Sequence, residues 1–98
     1  MSHSLLSSEQ VAAALESLPG WTSDGAQLKR SYRFPDFVSA FDWMTLVAAE
    51  AERLGHHPDW SNVYSGVEVA LSTHDAGGLT ELDVALATFM EEAATEAT

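Results

Sequence analysis

The sequence predicts an α+β fold in two layers: a four-stranded antiparallel sheet with three helices on one face, in the order α-β-β-α-β-β-α. Three observations predict it. Apolar residues recur at three- and four-residue steps near the start, in the middle and at the end of the chain. Between these stretches lie two segments of alternating polar and apolar residues, each long enough for a hairpin. Turn-forming pairs, among them Pro19-Gly20, Asp24-Gly25, Ser65-Gly66 and Gly77-Gly78, punctuate the boundaries.

The first helix has a defined start. Ser7 is the expected N-cap, Gln10 completes a capping box, and Leu6 and Val11 form a hydrophobic staple. Val11, Ala14, Leu15 and Leu18 make its apolar stripe, and Pro19-Gly20 ends it. Trp21 then opens a short strand, and Asp24-Gly25 suits a two-residue type I′ turn. In the return strand Leu28, Arg30, Tyr32 and Phe34 fall on one side, Lys29, Ser31 and Arg33 on the other. Three of the four basic residues lie there, which reads as an exposed strand face or, alternatively, as a contact to an anionic substrate.

The second helix is the longest. Asp36 is its expected N-cap, and Phe37, Phe41, Met44, Ala48, Ala51 and Leu54 run down one face, flanked by Ala40 and Val47. Phe37, Phe41 and Trp43 are expected in the core or at an interface. Gly55 suits the left-handed position past the helix, and Pro58 blocks continuation. The second hairpin alternates Trp60, Asn62 and Tyr64 with Ser61 and Val63, turns at Ser65-Gly66, and returns with Val67, Val69, Leu71 and Thr73 facing one way. The last helix starts at Thr80 as N-cap, with Asp83 at the third helical position and Leu82, Ala85, Leu86, Phe89, Met90 and Ala93 as its buried stripe. The Ala/Glu-rich end from Glu91 to Thr98 reads as a fraying terminus. Residues 1–98 are expected to form a single domain, frayed at 1–4 and 94–98.

Composition narrows the function. Fifteen acidic against four basic residues give a formal charge of −11, a field that repels phosphate backbones and disfavours direct nucleic-acid binding. A small neutral substrate fits better. No cysteine is present, which removes disulfides and thiolate chemistry and agrees with a cytoplasmic setting. No run approaches the roughly 18 apolar residues of a membrane span. The N-terminus lacks the basic and apolar regions of a secretory signal. A core this small, of a chain that buries about two thirds of its unfolded surface, is expected to gain from self-association.

The chemistry centres on Leu54-Gly-His-His-Pro-Asp-Trp60 and Ser72-Thr-His-Asp75. These segments bring His56 and His57 to the end of a helix and His74 to the end of a strand, while His3 sits near the N-terminus. Imidazoles exchange protons close to neutral pH, so a general acid/base site is one reading. Glu52 and Asp75 are candidates to orient an imidazole through its second nitrogen. A metal site built from His56 or His57, His74 and a carboxylate is a second reading, although no H-x-x-x-H or H-x-H pair appears. Ordinary surface histidines are the third. Nucleophilic catalysis by Ser72 or Thr73 has little support, since no nucleophile elbow accompanies them.

Glu52-Arg-Leu-Gly-His-His-Pro-Asp-Trp60, then Asn62-Val-Tyr64, Leu71-Ser-Thr-His74, Gly78-Leu-Thr80, Asp83 and Leu86-Ala87 resemble the pterin-4a-carbinolamine dehydratase family. Leu5-Leu-Ser7, Gly20-Trp21, Leu28-x-Arg30 and Phe34-x-x-Phe37-x-x-Ala40-Phe41 extend the likeness over nearly the whole chain. The resemblance implies a hydro-lyase that eliminates water from a 4a-hydroxytetrahydropterin, the product of aromatic amino acid hydroxylases, to give quinonoid dihydropterin. It implies no metal and no organic cofactor. His56, His57 and His74 match the family's site histidines, with His56 and His74 as the acid/base pair and His57 orienting the substrate. Glu52, Pro58, Ser72, Thr73, Asp75 and Ala76 are the implied substrate-binding positions, and Asp83 is given a mainly capping role. Members often carry a polar residue where this chain has Gly55, and some carry Glu where it has Asp75. The family resemblance also implies a homodimer or homotetramer, and an alternative role as a protein-interaction or dimerisation cofactor.

Overall fold

The computed structural model describes residues 4–97. The elements are α1 (Ser8–Glu16), β1 (Thr22–Ser23), β2 (Leu28–Arg33), α2 (Phe37–Leu54), β3 (Asp59–Val63), β4 (Gly66–Leu71), a one-turn 3-10 helix (His74–Ala76) and α3 (Glu81–Ala97). The order α-β-β-α-β-β-α is as the sequence predicts, with the 3-10 turn added after β4. His3 lies outside the described residues.

The strands form one antiparallel sheet in the spatial order β1-β2-β4-β3. Two local hairpins are joined by the β2–β4 pairing, which runs from Leu28 opposite Leu71 to Arg33 opposite Gly66. This register places Leu28, Tyr32, Val67, Val69 and Leu71 on the buried face and leaves Lys29, Ser31, Arg33 and Glu68 exposed on the other. Period-2 patterning decides this, because a slip of one residue would turn every apolar side chain to solvent.

Trp43 joins the layers. It is fully buried, its ring packs 4.5 Å from Tyr32, 5.2 Å from Phe34 and 6.0 Å from Trp60 between centroids, and its Nε1 donates to the Met90 carbonyl of α3 at 3.0 Å. Truncating a residue so placed costs on the order of 3–5 kcal/mol. Leu86, Ala87, Met90 and Ala93 of α3 complete the core, with Val11 and Leu15 of α1 packed at its margin.

The local start signals behave as expected. Ser7 and Gln10 form both hydrogen bonds of the capping box, and the Asp36 side chain accepts from the Ser39 N–H at 2.8 Å. Several expectations need correction. The buried stripe of α2 is Ala40, Trp43, Val47 and Ala51; Phe37 and Phe41 are 45 % and 52 % exposed and Ala48 also faces out. The helix is apolar around most of its circumference, and shape complementarity to the sheet chose the face that carries the indole. In α3, Ala85 faces out while Asp83 and Ala87 are buried.

The first hairpin has a four-residue loop, since Ser23 pairs with Leu28. The Asp24 Oδ1 accepts from the N–H groups of Ala26 and Gln27, both at 2.9 Å, and this side-chain turn replaces the expected type I′ pair. The second hairpin turns at Tyr64-Ser65, because Val63 pairs with Gly66. Tyr64 takes a left-handed φ of 53°, held by the Asn62 amide, which donates to the Tyr64 and Gly66 carbonyls.

Helix α3 runs to Ala97, and Ala94 packs against the core. The Glu91 Oε2 accepts from Trp21 Nε1 at 2.9 Å, from Arg30 Nε at 3.1 Å and from the Tyr32 hydroxyl. Burial alone would raise the Glu91 pKa; the hydrogen bonds from Tyr32, Arg30 and Trp21 outweigh it and hold the carboxyl below its ordinary value. Burial, then the hydrogen bond and charge of Glu91, push the Tyr32 phenol upward, so it remains a donor. Arg30 lies over the Tyr32 ring at 4.3 Å, which explains how a cation fits on an otherwise apolar strand face.

Candidate active site

The C-terminus of α2 positions the first two histidines. Gly55 adopts φ 65°, its N–H donates to the Glu52 carbonyl at 3.1 Å, and the His56 N–H donates to the Ala51 carbonyl at 3.0 Å. This pair of bonds is a Schellman ending, which turns the chain sharply and satisfies two carbonyls of the last turn. His56 is thereby directed inward and His57 outward: His56 is 8 % exposed, whereas 64 % of the His57 side chain is open to solvent.

The second segment is a closed loop after β4. The Thr73 N–H donates to the Gly78 carbonyl at 2.8 Å, and the Thr73 carbonyl accepts from Ala76, Gly77 and Gly78. Gly77 supplies the left-handed residue, with φ 81°, that lets the chain return. His74 stands at the start of this loop, exposed, and its imidazole makes no hydrogen bond to another described residue.

The two segments are tied together by Asp83, which is fully buried. Its Oδ1 lies 2.6 Å from His56 Nε2, and its Oδ2 accepts from Thr73 Oγ1 at 2.8 Å and from the Thr80 N–H at 2.9 Å. Thr73 Oγ1 also meets Thr80 Oγ1 at 2.7 Å, and Thr80 Oγ1 accepts from the Leu82 N–H at 3.3 Å. These bonds define a proton order. Thr73 donates to Asp83, so Thr80 donates to Thr73. Toward an ionised Asp83, His56 Nε2 is the donor, and in the neutral imidazole Nδ1 is then the accepting nitrogen. No buried side-chain nitrogen or oxygen among the described residues lacks a partner.

Asp83 therefore does more than cap α3. It carries out for His56 the orienting role that sequence reasoning gave to Asp75, which is exposed and bonds no imidazole among the described residues. An Asp three residues after a Thr reads as a capping residue, and no local signal reveals that its second oxygen meets a histidine of another helix. The Glu52 Oε1 lies 2.5 Å from His57 Nε2 at the solvent edge.

His56, His57 and His74 line a single cavity of about 690 Å³ together with Ser72, Thr73, Asp75 and Ala76. Leu54 and Leu82, members of the apolar stripes of α2 and α3, supply its apolar walls. Pro58 does not line it, and Glu52 reaches it through His57. No three His, Asp or Glu side chains among the described residues cluster as metal ligands.

The chain belongs to the pterin 4 alpha carbinolamine dehydratase family, whose model matches residues 4–93. A protein of Mesorhizobium japonicum that carries this dehydratase's name is 54 % identical over 89 residues, which cover 89 % of this chain and 91 % of the relative. One from Prochlorococcus marinus is 49 % identical over 87 residues, covering 89 % and 91 %. The crystal structure of a protein of Brucella melitensis, described as a transcriptional coactivator/pterin dehydratase, matches with a TM-score of 0.88 at 42 % identity, over 92 % of this chain and 98 % of that one. A pterin dehydratase-like protein identified as a RuBisCO assembly factor in the alpha-carboxysome shares the fold, with a TM-score of 0.62 at 20 % identity over 76 % of this chain and 86 % of that one.

Proposed function

We propose that the protein is a 4a-hydroxytetrahydropterin dehydratase, a hydro-lyase that acts in tetrahydropterin recycling downstream of an aromatic amino acid hydroxylase in the cytoplasm. The observation that carries this reading is the convergence of three imidazoles on one cavity, two of them bonded to carboxyls, in a chain of the dehydratase family. In the reaction the C4a–O bond breaks, the N5–H proton is removed, the N5=C4a double bond forms, and the departing hydroxyl takes up a proton to leave as water. His56 accepts the N5 proton at Nδ1, and Asp83 stabilises the imidazolium that results. His74 donates to the leaving hydroxyl; its exposure lets solvent restore the proton. His57, steadied by Glu52, orients the substrate, and Ser72, Thr73, Asp75 and Ala76 line its binding surface, with Pro58 restricting the backbone that follows the His-His pair. The chemistry calls for neither metal nor organic cofactor.

The test is a direct assay of carbinolamine dehydration against the spontaneous rate in the same buffer. A progress curve that the protein does not accelerate rejects the proposal.

A protein-docking role, with or without catalysis, is the second reading. It is favoured by the apolar outer face of α2, where Phe37, Val38, Phe41 and Leu46 are exposed. Such a face suits a homodimer or homotetramer. Sedimentation of the wild type and of Phe41→Glu tests it: the reading requires an oligomer that the charge disperses.

A further inference from the structure

We infer that the cavity selects carbinolamines whose side chain is uncharged and disfavours those whose tail ends in a phosphate or a carboxylate. This rests on the dehydratase reading and narrows its substrate class.

Among the described residues, the cavity lining contains no lysine or arginine. All four such residues of the chain are engaged or placed elsewhere. Lys29 and Arg30 line a separate groove on the sheet, Arg30 is bonded to Glu91, Arg33 lies near the far end of the same strand, and Arg53 forms a two-point pair with Glu50 at 2.9 and 2.6 Å. The carboxyls, by contrast, gather at the site. Asp75 is in the lining, Glu52 stands at the rim behind His57, and Asp83 lies behind His56.

Helix dipoles act in the same sense. The 18-residue α2 ends at the cavity wall with its carbonyl pole, the negative end. The positive pole of α3 is not available to an anion, because Asp83 occupies the Thr80 N–H and Glu81 stands in the first turn. Protonated imidazoles do not reverse the balance. His56 and His57 each face a carboxyl, so protonation there makes a neutral pair, and His74 alone is left to meet an anionic tail. The net charge of −11 adds a repulsive field at longer range.

The experiment compares kcat/KM for two carbinolamines that share the ring, one with a hydroxyalkyl tail and one with its phosphate monoester. The hydroxyalkyl substrate is expected to be favoured by about tenfold or more at ionic strength near ~20 mM, with the gap closing toward ~0.5 M as screening sets in. Asp75→Lys is expected to narrow the gap at low salt, whereas Asp42→Lys, the same charge change on the exposed face of α2, leaves most of it. Equal rates for both substrates, or a gap indifferent to salt and to Asp75→Lys, overturn the inference while the dehydratase reading stands. An equal narrowing by Asp42→Lys overturns the assignment to the cavity. No acceleration of either substrate overturns both.

Discussion

His56 and Asp83 lie 27 residues apart in the chain and 2.6 Å apart in space, and their hydrogen bond joins the end of α2 to the start of α3. The same carboxyl group holds Thr73, next to His74, so one buried side chain sets the relative position of both histidine-bearing segments. Asp83→Asn is expected to lower dehydratase kcat by about tenfold or more, because an amide facing Nε2 no longer fixes the tautomer that frees Nδ1. It also loosens a hydrogen-bonded buried carboxyl, at a cost of about 1–3 kcal/mol. Steady-state kinetics with chemical denaturation checks both; unchanged kcat would remove Asp83 from the mechanism.

His56 and His74 should separate in their effects on stability. Each change to alanine is expected to reduce dehydration by about 10²–10⁴-fold. The His74 side chain is exposed and bonds no other described residue, so its removal is expected to leave the melting temperature nearly unchanged. His56→Ala strips a partner from a fully buried carboxyl and should cost about 1–3 kcal/mol. Equal stabilities for the two variants, measured by thermal melts, contradict this division.

Gly55 has space for a Cβ, with nothing within 4 Å, but its φ of 65° disfavours other residues. Gly55→Ala is therefore expected to cost about 1–2 kcal/mol from backbone conformation alone, and Gly55→Asn less. Because the Schellman turn aims His56, kcat should fall in the same order. A Gly55→Ala protein with wild-type stability argues against this placement of His56.

Glu91 anchors the C-terminal helix to the sheet far from the histidines. Glu91→Ala leaves the Trp21 and Tyr32 donors without their acceptor and should destabilise by about 1–3 kcal/mol, or roughly 4–20 °C in melting temperature for a domain of this size. Activity per folded molecule should persist.

The pH dependence of stability follows from the same residue. The folded state holds the Glu91 carboxyl below its ordinary value, so the unfolded chain binds the proton more readily. The contribution is complete above the ordinary glutamate range and is lost as pH falls through that range and below it. Denaturation profiles of the wild type should weaken there more than those of Glu91→Gln; parallel profiles contradict the assignment.

What the sequence determined by itself was local. The cap at Ser7, the cap at Asp36, the left-handed ending at Gly55 and the alternating faces of β2 and β4 follow from interactions within a few residues, and so does the placement of His56, His57 and His74 at the ends of two elements. The tertiary structure decided the rest. Helix α2 carries two apolar stripes, and hydrophobic spacing cannot tell which meets the sheet; packing around Trp43 chose one and left Phe37 and Phe41 outside. Asp83 and Glu91 read locally as a helix cap and as part of a fraying end. Their partners, His56 and the Trp21, Arg30 and Tyr32 donors, lie 27 to 70 residues away. Such pairings arise only when α2, α3 and the sheet close on one another, because a buried polar group takes its partner from whichever element the packing brings within hydrogen-bond reach.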